Sequence, residues 1–314
     1  MPPTTHQHFK PDLSVAFCGI QLKNPVVAAS GTFGYGLEFE DIVHLNRLGG
    51  FVVKGLSYEP MPGNPPQRLY ETAAGMLNAI GLQNIGARAF VEEKLPKLKA
   101  ISDIVVFANV FGYAREDYER TIYILNEGEG IAAYELNVSC PNTTHGGTQF
   151  GSDPRLLDEL VNKAKRISAR PLIVKLSPNV TSIAQMAYVA QEAGADAISL
   201  VNTFLAMAID PETRKPRIAN VTAGLSGPAI KPIAVRMVYE ASKAVRVPII
   251  GMGGISKAAD IAEFMLAGAT AVQVGTASYW DPVATEKLVA ELENWCDLHD
   301  VHRVSELTGA LITD

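Results

Sequence analysis

An eight-stranded parallel (β/α)8 barrel, with insertions on its C-terminal face, is the fold this sequence predicts. Three observations predict it. Eight short runs rich in Val, Ile and Ala recur along the 314 residues. None shows the apolar/polar alternation of a half-exposed strand, as expected for strands covered on both faces. Amphipathic stretches of helical period lie between them, and eight such units favour a closed barrel over a doubly wound open sheet.

The elements follow in order. Residues 1–10 are polar, carry two prolines and contain no apolar signal-peptide core, so a flexible start and a cytoplasmic protein are expected. The strands are expected at 25–29, 50–54, 104–109, 133–139, 172–176, 197–201, 248–251 and 271–274. Helical patterns cover 92–100, 154–168, 183–193, 230–245, 258–267 and 282–298. Asp153-Pro154 and Asp281-Pro282 each read as an N-cap followed by the first helical residue. Gly194 and Gly268 read as helix terminators before the next strand. No linker or low-complexity segment interrupts the chain, and one barrel domain over 1–314 is expected.

The residues at the strand ends are Ser30, Lys54, Asn109, Asn137, Lys175, Asn202, Gly253 and Gly275. A bare unit separates neighbours by 22–28 residues, but the gaps after strands 2, 4 and 6 are 55, 38 and 51. All three insertions fall on the C-terminal face, where barrel active sites form. The one after strand 6 reads as a hairpin capping the mouth.

Composition narrows the function. An apolar fraction of 47%, a charged fraction of 19% and a net charge of -6 describe an ordinary globular protein and argue against a general nucleic-acid binder. No run approaches the ~18 apolar residues of a membrane helix. The three cysteines, Cys18, Cys140 and Cys296, are far apart and include no C-x-x-C, which argues against a disulfide scaffold, a zinc site or a cysteine-held iron–sulfur cluster within this chain. Cys18, near a hairpin, and Cys296, on an amphipathic helix, read as structural.

Cys140 is different. In Glu135-Leu-Asn-Val-Ser-Cys-Pro-Asn142 a thiol stands at a strand exit with a hydroxyl (Ser139) and two amides (Asn137, Asn142) beside it. The arrangement suits an active site; the bland alternative is a small apolar cysteine in the barrel wall. His145, a lone loop histidine, reads as a surface residue. Met252-Gly-Gly-Ile-Ser256 and Gly275-Thr276-Ala277 follow strands 7 and 8, the common phosphate site of barrels, where backbone N–H groups converge on an anion, the next helix adds its positive end, and Ser226-Gly227 could close the site. Lys54 and Lys175 end buried strands, where a lysine forms a Schiff base or neutralises a bound anion. Asn109, Asn137 and Asn202 add neutral donors and acceptors. Together these suit a flat heterocycle with several C=O and N–H groups. Paired carboxylates for hydrolysis and a metal-binding cluster are missing from the strand ends.

These residues fall in a set of motifs that resembles the class 1 dihydroorotate dehydrogenases, and most closely their 1B branch. The motifs are Ala29-Ser-Gly-Thr-Phe-Gly34, Gly63-Asn-Pro65, Gly75-Met-Leu-Asn-Ala-Ile-Gly-Leu-Gln-Asn84, Leu136-Asn-Val-Ser-Cys-Pro-Asn142, Val174-Lys-Leu-Ser-Pro-Asn179, Asn202-Thr203, Gly224-Leu-Ser-Gly-Pro-Ala229 and Ile250-Gly-Met-Gly-Gly-Ile255. The resemblance implies an FMN-bearing barrel that oxidises dihydroorotate to orotate, with Cys140 as the base. It implies FMN contacts from Ser30, Lys54, Gly55, Asn109, Asn137, Lys175, Val201, Gly227, Gly253, Gly254, Gly275 and Thr276. Substrate contacts implied are Lys54, Asn78, Ala79, Ile80, Gly81, Leu82, Asn137, Asn142, Asn202 and Thr203. It also implies a heterotetramer of two barrels with two partner subunits that carry FAD and a 2Fe-2S cluster and pass electrons to NAD.

Four alternatives stand beside it. The 1A branch uses fumarate and needs no partner. A dihydropyrimidine dehydrogenase barrel shares the cysteine and the FMN site, but that family has histidine where this chain has Asn142. A Schiff-base lyase or isomerase would use Lys54 or Lys175 as nucleophile, and a scaffold barrel would use none of these groups. The class 2 enzymes carry a membrane-associating extension and a serine base, and neither is seen here.

Overall fold

The computed structural model describes residues 8–138 and 150–313. Eight parallel strands close into a barrel in strict chain order. They are β1 (Val26–Ala28), β2 (Gly50–Val52), β3 (Val106–Val110), β4 (Ile131–Asn137), β5 (Leu172–Lys175), β6 (Ala197–Leu200), β7 (Ile249–Met252) and β8 (Ala271–Val274). Each is buried along its length apart from a half-buried Ala132, which is why their sequences are continuously apolar rather than alternating. The expected strands match in number and order, with ends displaced by at most two residues.

Helices pack outside the strands. Asp153 caps its helix as expected, its carboxylate accepting from the N–H groups of Arg155 and Leu156, and Pro154 is the first helical residue. The second cap is displaced. Asp281 accepts from Val283 N–H at 3.2 Å and so closes a turn, and the helix itself begins at Ala284. The carboxylate bonded two residues ahead, in an Asx turn, rather than to the helix. Gly194 and Gly268 stand just past their helices with φ of 102° and 117°, the left-handed region a terminator needs. The helix Arg115–Glu127, between β3 and β4, was not singled out from the sequence, because its face is mostly polar and only a narrow stripe around Tyr118, Ile122 and Leu125 is buried.

A hairpin, Val15–Phe17 with Ile20–Leu22, precedes β1, and Phe17 meets Phe107 edge-on with ring centroids 6.5 Å apart. Cys18 sits in its turn, as expected from the sequence.

At the other end the insertions after β2 and β6 combine. Strands Leu69–Thr72 and Gly75–Asn78 come from the first, and Phe204–Ala206 and Ala223–Ser226 from the second. They form one antiparallel sheet in which Leu77 pairs with Leu225. The expected hairpin over the mouth is therefore half of a four-stranded structure. Leu77, Ala79, Ile218 and Ala223 give this sheet a small core of its own.

Candidate active site

The strand ends and the mouth sheet enclose one cleft, with about 1230 Å³ of space between atoms when its open entrance is included. Ser30, Lys54, Gly55, Asn109, Asn137, Lys175, Val201, Gly227, Gly253, Gly254, Gly275 and Thr276 all line it. So do Asn78, Ile80, Gly81, Leu82, Asn202 and Thr203. Ala79 does not. Its side chain faces the small core of the mouth sheet and its N–H donates to the Arg68 carbonyl at 2.9 Å. In an extended segment neighbouring side chains point to opposite faces, so Asn78 and Ile80 reach the cleft and Ala79 cannot. Cys140, Asn142 and His145 lie outside the described residues.

Local bonds hold these groups in place. Ser30 Oγ donates to the Val53 carbonyl at 2.8 Å, tying β1 to β2 at the mouth. Lys54 N–H donates to the Gly34 carbonyl at 2.8 Å. Thr203 N–H donates to Asn202 Oδ1 at 2.8 Å, and Asn78 Nδ2 to the Gly224 carbonyl at 3.3 Å. Tyr118 Oη donates to the Asn137 carbonyl at 2.9 Å, so the helix after β3 fixes the end of β4.

Below them lies a polar layer inside the barrel. Glu135 is fully buried on β4. Asn109 Nδ2 donates to its Oε1 at 2.7 Å, with Lys175 Nζ 3.6 Å from the same oxygen. Ser199 Oγ and Gln273 Nε2 donate to its Oε2 at 3.0 and 2.5 Å. The other ends of the two amides, Asn109 Oδ1 and Gln273 Oε1, are buried and accept nothing from a described residue. Glu135, Ser199 and Gln273 were missed from the sequence. Each is a polar residue inside an otherwise apolar strand, and Glu135 lies two residues before Asn137 on the same face; that was the available signal. The aromatic pair Tyr279 and Trp280, also in the lining, was missed too. Burial pushes the Tyr279 hydroxyl above its usual pKa despite the opposing pull of Arg68.

The glycine loop after β7 meets Gly227, and after β8 Thr276 Oγ1 donates to the neighbouring Ser226 Oγ at 2.8 Å. Gly254 has a φ of 78°, and a Cβ there would stand 2.8 Å from the Gly227 carbonyl oxygen. Only a bare backbone leaves room for a phosphate in such a cradle. One expectation changes here. The helix Ala258–Leu266 was expected to turn its positive end on the phosphate, but Asp260 Oδ2 already takes the N–H groups of Ser256 and Lys257 at 2.8 and 3.1 Å. The Asp260 carboxylate offsets the positive end of the helix, and the Ser256 and Lys257 N–H groups are already taken.

A flavin mononucleotide fits this donor set. Buried orphan carbonyls suit its ring N–H, the lysines suit the charge that a reduced ring gains, and the glycine cradle suits its phosphate. Among the described residues no group of His, Cys, Asp and Glu could hold a metal ion, and no helix is long and apolar enough to cross a membrane.

Asp260 shapes the loop, and its chemistry gives a pH test. Burial alone would raise its pKa, but the Lys231 ammonium at 2.8 Å and the Ser256 donors outweigh that and hold it below the usual carboxylate range. A carboxyl whose folded pKa is depressed stabilises the fold above its unfolded value of ~3.9, and the contribution fades as pH falls through the folded value. Asp260→Asn is therefore expected to cost about 1–3 kcal/mol at neutral pH. Thermal unfolding should show a gap between variant and parent at pH 7 that narrows below about pH 4; equal stability at pH 7 would refute the assignment.

Comparison with known proteins identifies the family. The dihydroorotate dehydrogenase family matches residues 12–295. A protein of Solibacter usitatus, provisionally named dihydroorotate dehydrogenase A (fumarate), is 59% identical over 301 residues, 96% of this chain and 99% of that one. Proteins of Pelobacter propionicus and Geobacter sulfurreducens, each named dihydroorotate dehydrogenase B (NAD(+)), catalytic subunit, are 53% and 52% identical over 302 residues, again 96% of this chain and 99% of theirs.

Proposed function

The chain belongs to the dihydroorotate dehydrogenase family, and from that premise we propose how it works: the strand-end residues would hold FMN, which would supply the hydride acceptor, Cys140 takes the proton, and a partner subunit would pass the electrons to NAD. The reaction is the oxidation of (S)-dihydroorotate to orotate in pyrimidine biosynthesis. The observation that carries the reading is the convergence of Lys54, Lys175 and three amides on one cleft beside a glycine cradle.

FMN, when bound, supplies the hydride acceptor for C6 of dihydroorotate. The protein's residues do the rest. Cys140, as thiolate, removes the C5 proton. Lys54 pairs with the substrate carboxylate, and Asn78, Asn137, Asn142, Asn202 and Thr203 offer donors and acceptors to its ring. Lys175 holds positive charge at the floor of the cleft. Gly227, Gly253, Gly254, Gly275 and Thr276 take the cofactor phosphate. The mouth sheet keeps bulk water from the reacting carbons.

FAD and a 2Fe-2S cluster belong in this proposal to the partner, in a heterotetramer of two barrels and two partner subunits. A cytoplasmic location is part of the same proposal and rests on the resemblance. A fumarate-linked enzyme is the second reading, favoured by the name of the Solibacter protein. One experiment separates them. The chain is purified alone and with its genomic neighbours, and dihydroorotate oxidation is followed with a dye, NAD and fumarate. The NAD reading expects the lone chain to reduce the dye but not NAD, with NAD reduction restored by a partner. Fumarate reduction by the lone chain would overturn it, and a preparation with no flavin spectrum and no dye activity would overturn the flavin mechanism.

A further inference from the structure

We propose that Glu135 is a positioning residue of the flavin pocket: one buried carboxylate that gathers the donors of Asn109, Gln273 and Lys175, and so sets which end of each amide, and how much net charge, the cofactor meets. The inference rests on the FMN reading above. Glu135 does not line the cleft, and it reaches the cofactor only through Asn109, Lys175 and Gln273, which do.

The geometry carries three steps. First, every group around Glu135 is a donor: Asn109 Nδ2 and Lys175 Nζ on Oε1, Ser199 Oγ and Gln273 Nε2 on Oε2. A carboxylate offers about four acceptor sites and no donor, so it matches that set, and a neutral amide in its place would not. Second, a planar amide that gives its N–H₂ to Glu135 must turn its oxygen the other way. Asn109 Oδ1 and Gln273 Oε1 are in that state, buried and without a described partner, in two residues that line the cleft. Two buried acceptors without partners are costly in a folded protein unless a ligand completes them. Third, Lys175 is buried and its ammonium stands 3.6 Å from Glu135. The pair is close to neutral overall, so Lys175 presents a directed donor to the cleft without a full uncompensated charge.

Replacing Glu135 by Gln disturbs all three. The new N–H₂ must face either Asn109 and Lys175 or Ser199 and Gln273. Whichever pair it meets, a donor opposes a donor and an amide is driven to flip. The Lys175 charge is also left uncompensated, which favours a reduced, anionic flavin over the oxidised one.

The test is the reduction potential of bound FMN, measured by anaerobic titration in Glu135→Gln, in Ser199→Ala and in the parent. Ser199 donates to the same carboxylate but does not line the cleft, so it reports a purely structural loss. The expected result for Glu135→Gln is at least a tenfold rise in preference for reduced over oxidised flavin, a shift of about +30 mV for a two-electron couple. Its kcat for dihydroorotate should change more than its KM, because no substrate contact is removed. Ser199→Ala should lose stability with the potential unchanged. Equal potentials in all three proteins would overturn the proposal. Should Glu135→Gln fail to fold, Lys175→Met is compared with the double variant Glu135→Gln/Lys175→Met. The double variant, lacking the buried negative charge, should then have the more positive potential, and equality would again overturn it. A parent protein that binds no FMN would sink the flavin reading itself, which is a separate outcome.

Discussion

Cys140→Ser is expected to slow the reduction of bound flavin by dihydroorotate by ~10²–10⁴-fold, the usual contribution of a positioned base. FMN should stay bound, because no cofactor contact is assigned to that side chain. A hydroxyl titrates far above a thiol, whose ordinary pKa is ~8.5, so at neutral pH serine has almost no basic form to offer. No other described cysteine can substitute. Burial, with the Asp196 carboxylate adding to it, pushes the Cys18 thiol up to about 12, and burial pushes Cys296 up to about 11. In the parent the rate should rise with pH as the Cys140 thiolate forms. Anaerobic stopped flow at several pH values measures both effects, and a variant reducing its flavin at the parental rate would remove Cys140 from the mechanism.

Lys175→Met is expected to act on stability and on redox balance at once. Removing one partner of a buried ion pair typically costs 3–5 kcal/mol, because the remaining charge stays buried. Here Asn109, Ser199 and Gln273 still donate to Glu135, so the cost should sit at the low end, about 3 kcal/mol. The loss of a cation from the floor of the cleft should also weaken the enzyme's preference for reduced flavin, the opposite sign to Glu135→Gln. Denaturant unfolding and a potential titration on the same preparation decide it. Parental values in both would mean that Lys175 faces neither Glu135 nor the cofactor in solution.

Much of this is legible in the sequence alone. Buried parallel strands write themselves as uninterrupted Val, Ile and Ala, and β8 was placed to the residue while β4 was displaced by two. Strand ends were legible as well, because a lysine or asparagine closing an apolar run has little structural reason to be there. The Lys54, Asn109, Asn137, Lys175 and Asn202 side chains all reach the cleft for that reason. What escaped depended on partners distant in sequence. Glu135 becomes intelligible only when β3, β5, β6 and β8 bring four donors to it. Asp260 looked like one acidic residue of an amphipathic helix, yet it cancels the helix end that the glycine loop was expected to use. The misplaced start at Asp281 came from local chemistry with two outcomes, since an aspartate before a proline closes an Asx turn as readily as it caps a helix. Ala79 was carried along with its motif, although alternation along the strand excludes it from the cleft.

The antiparallel sheet over the mouth has a further consequence. Leu77 and Leu225 face each other across two paired strands, although 147 residues of chain lie between them. The insertions after β2 and β6 are thus a single heritable unit. Lengthening, shortening or exchanging one in a descendant of this protein removes the single strand ladder that joins it to the other, leaving each hairpin only its own internal pairing. Drift in the specificity of the entrance must therefore proceed by paired changes in both segments, whereas the barrel beneath can vary strand by strand.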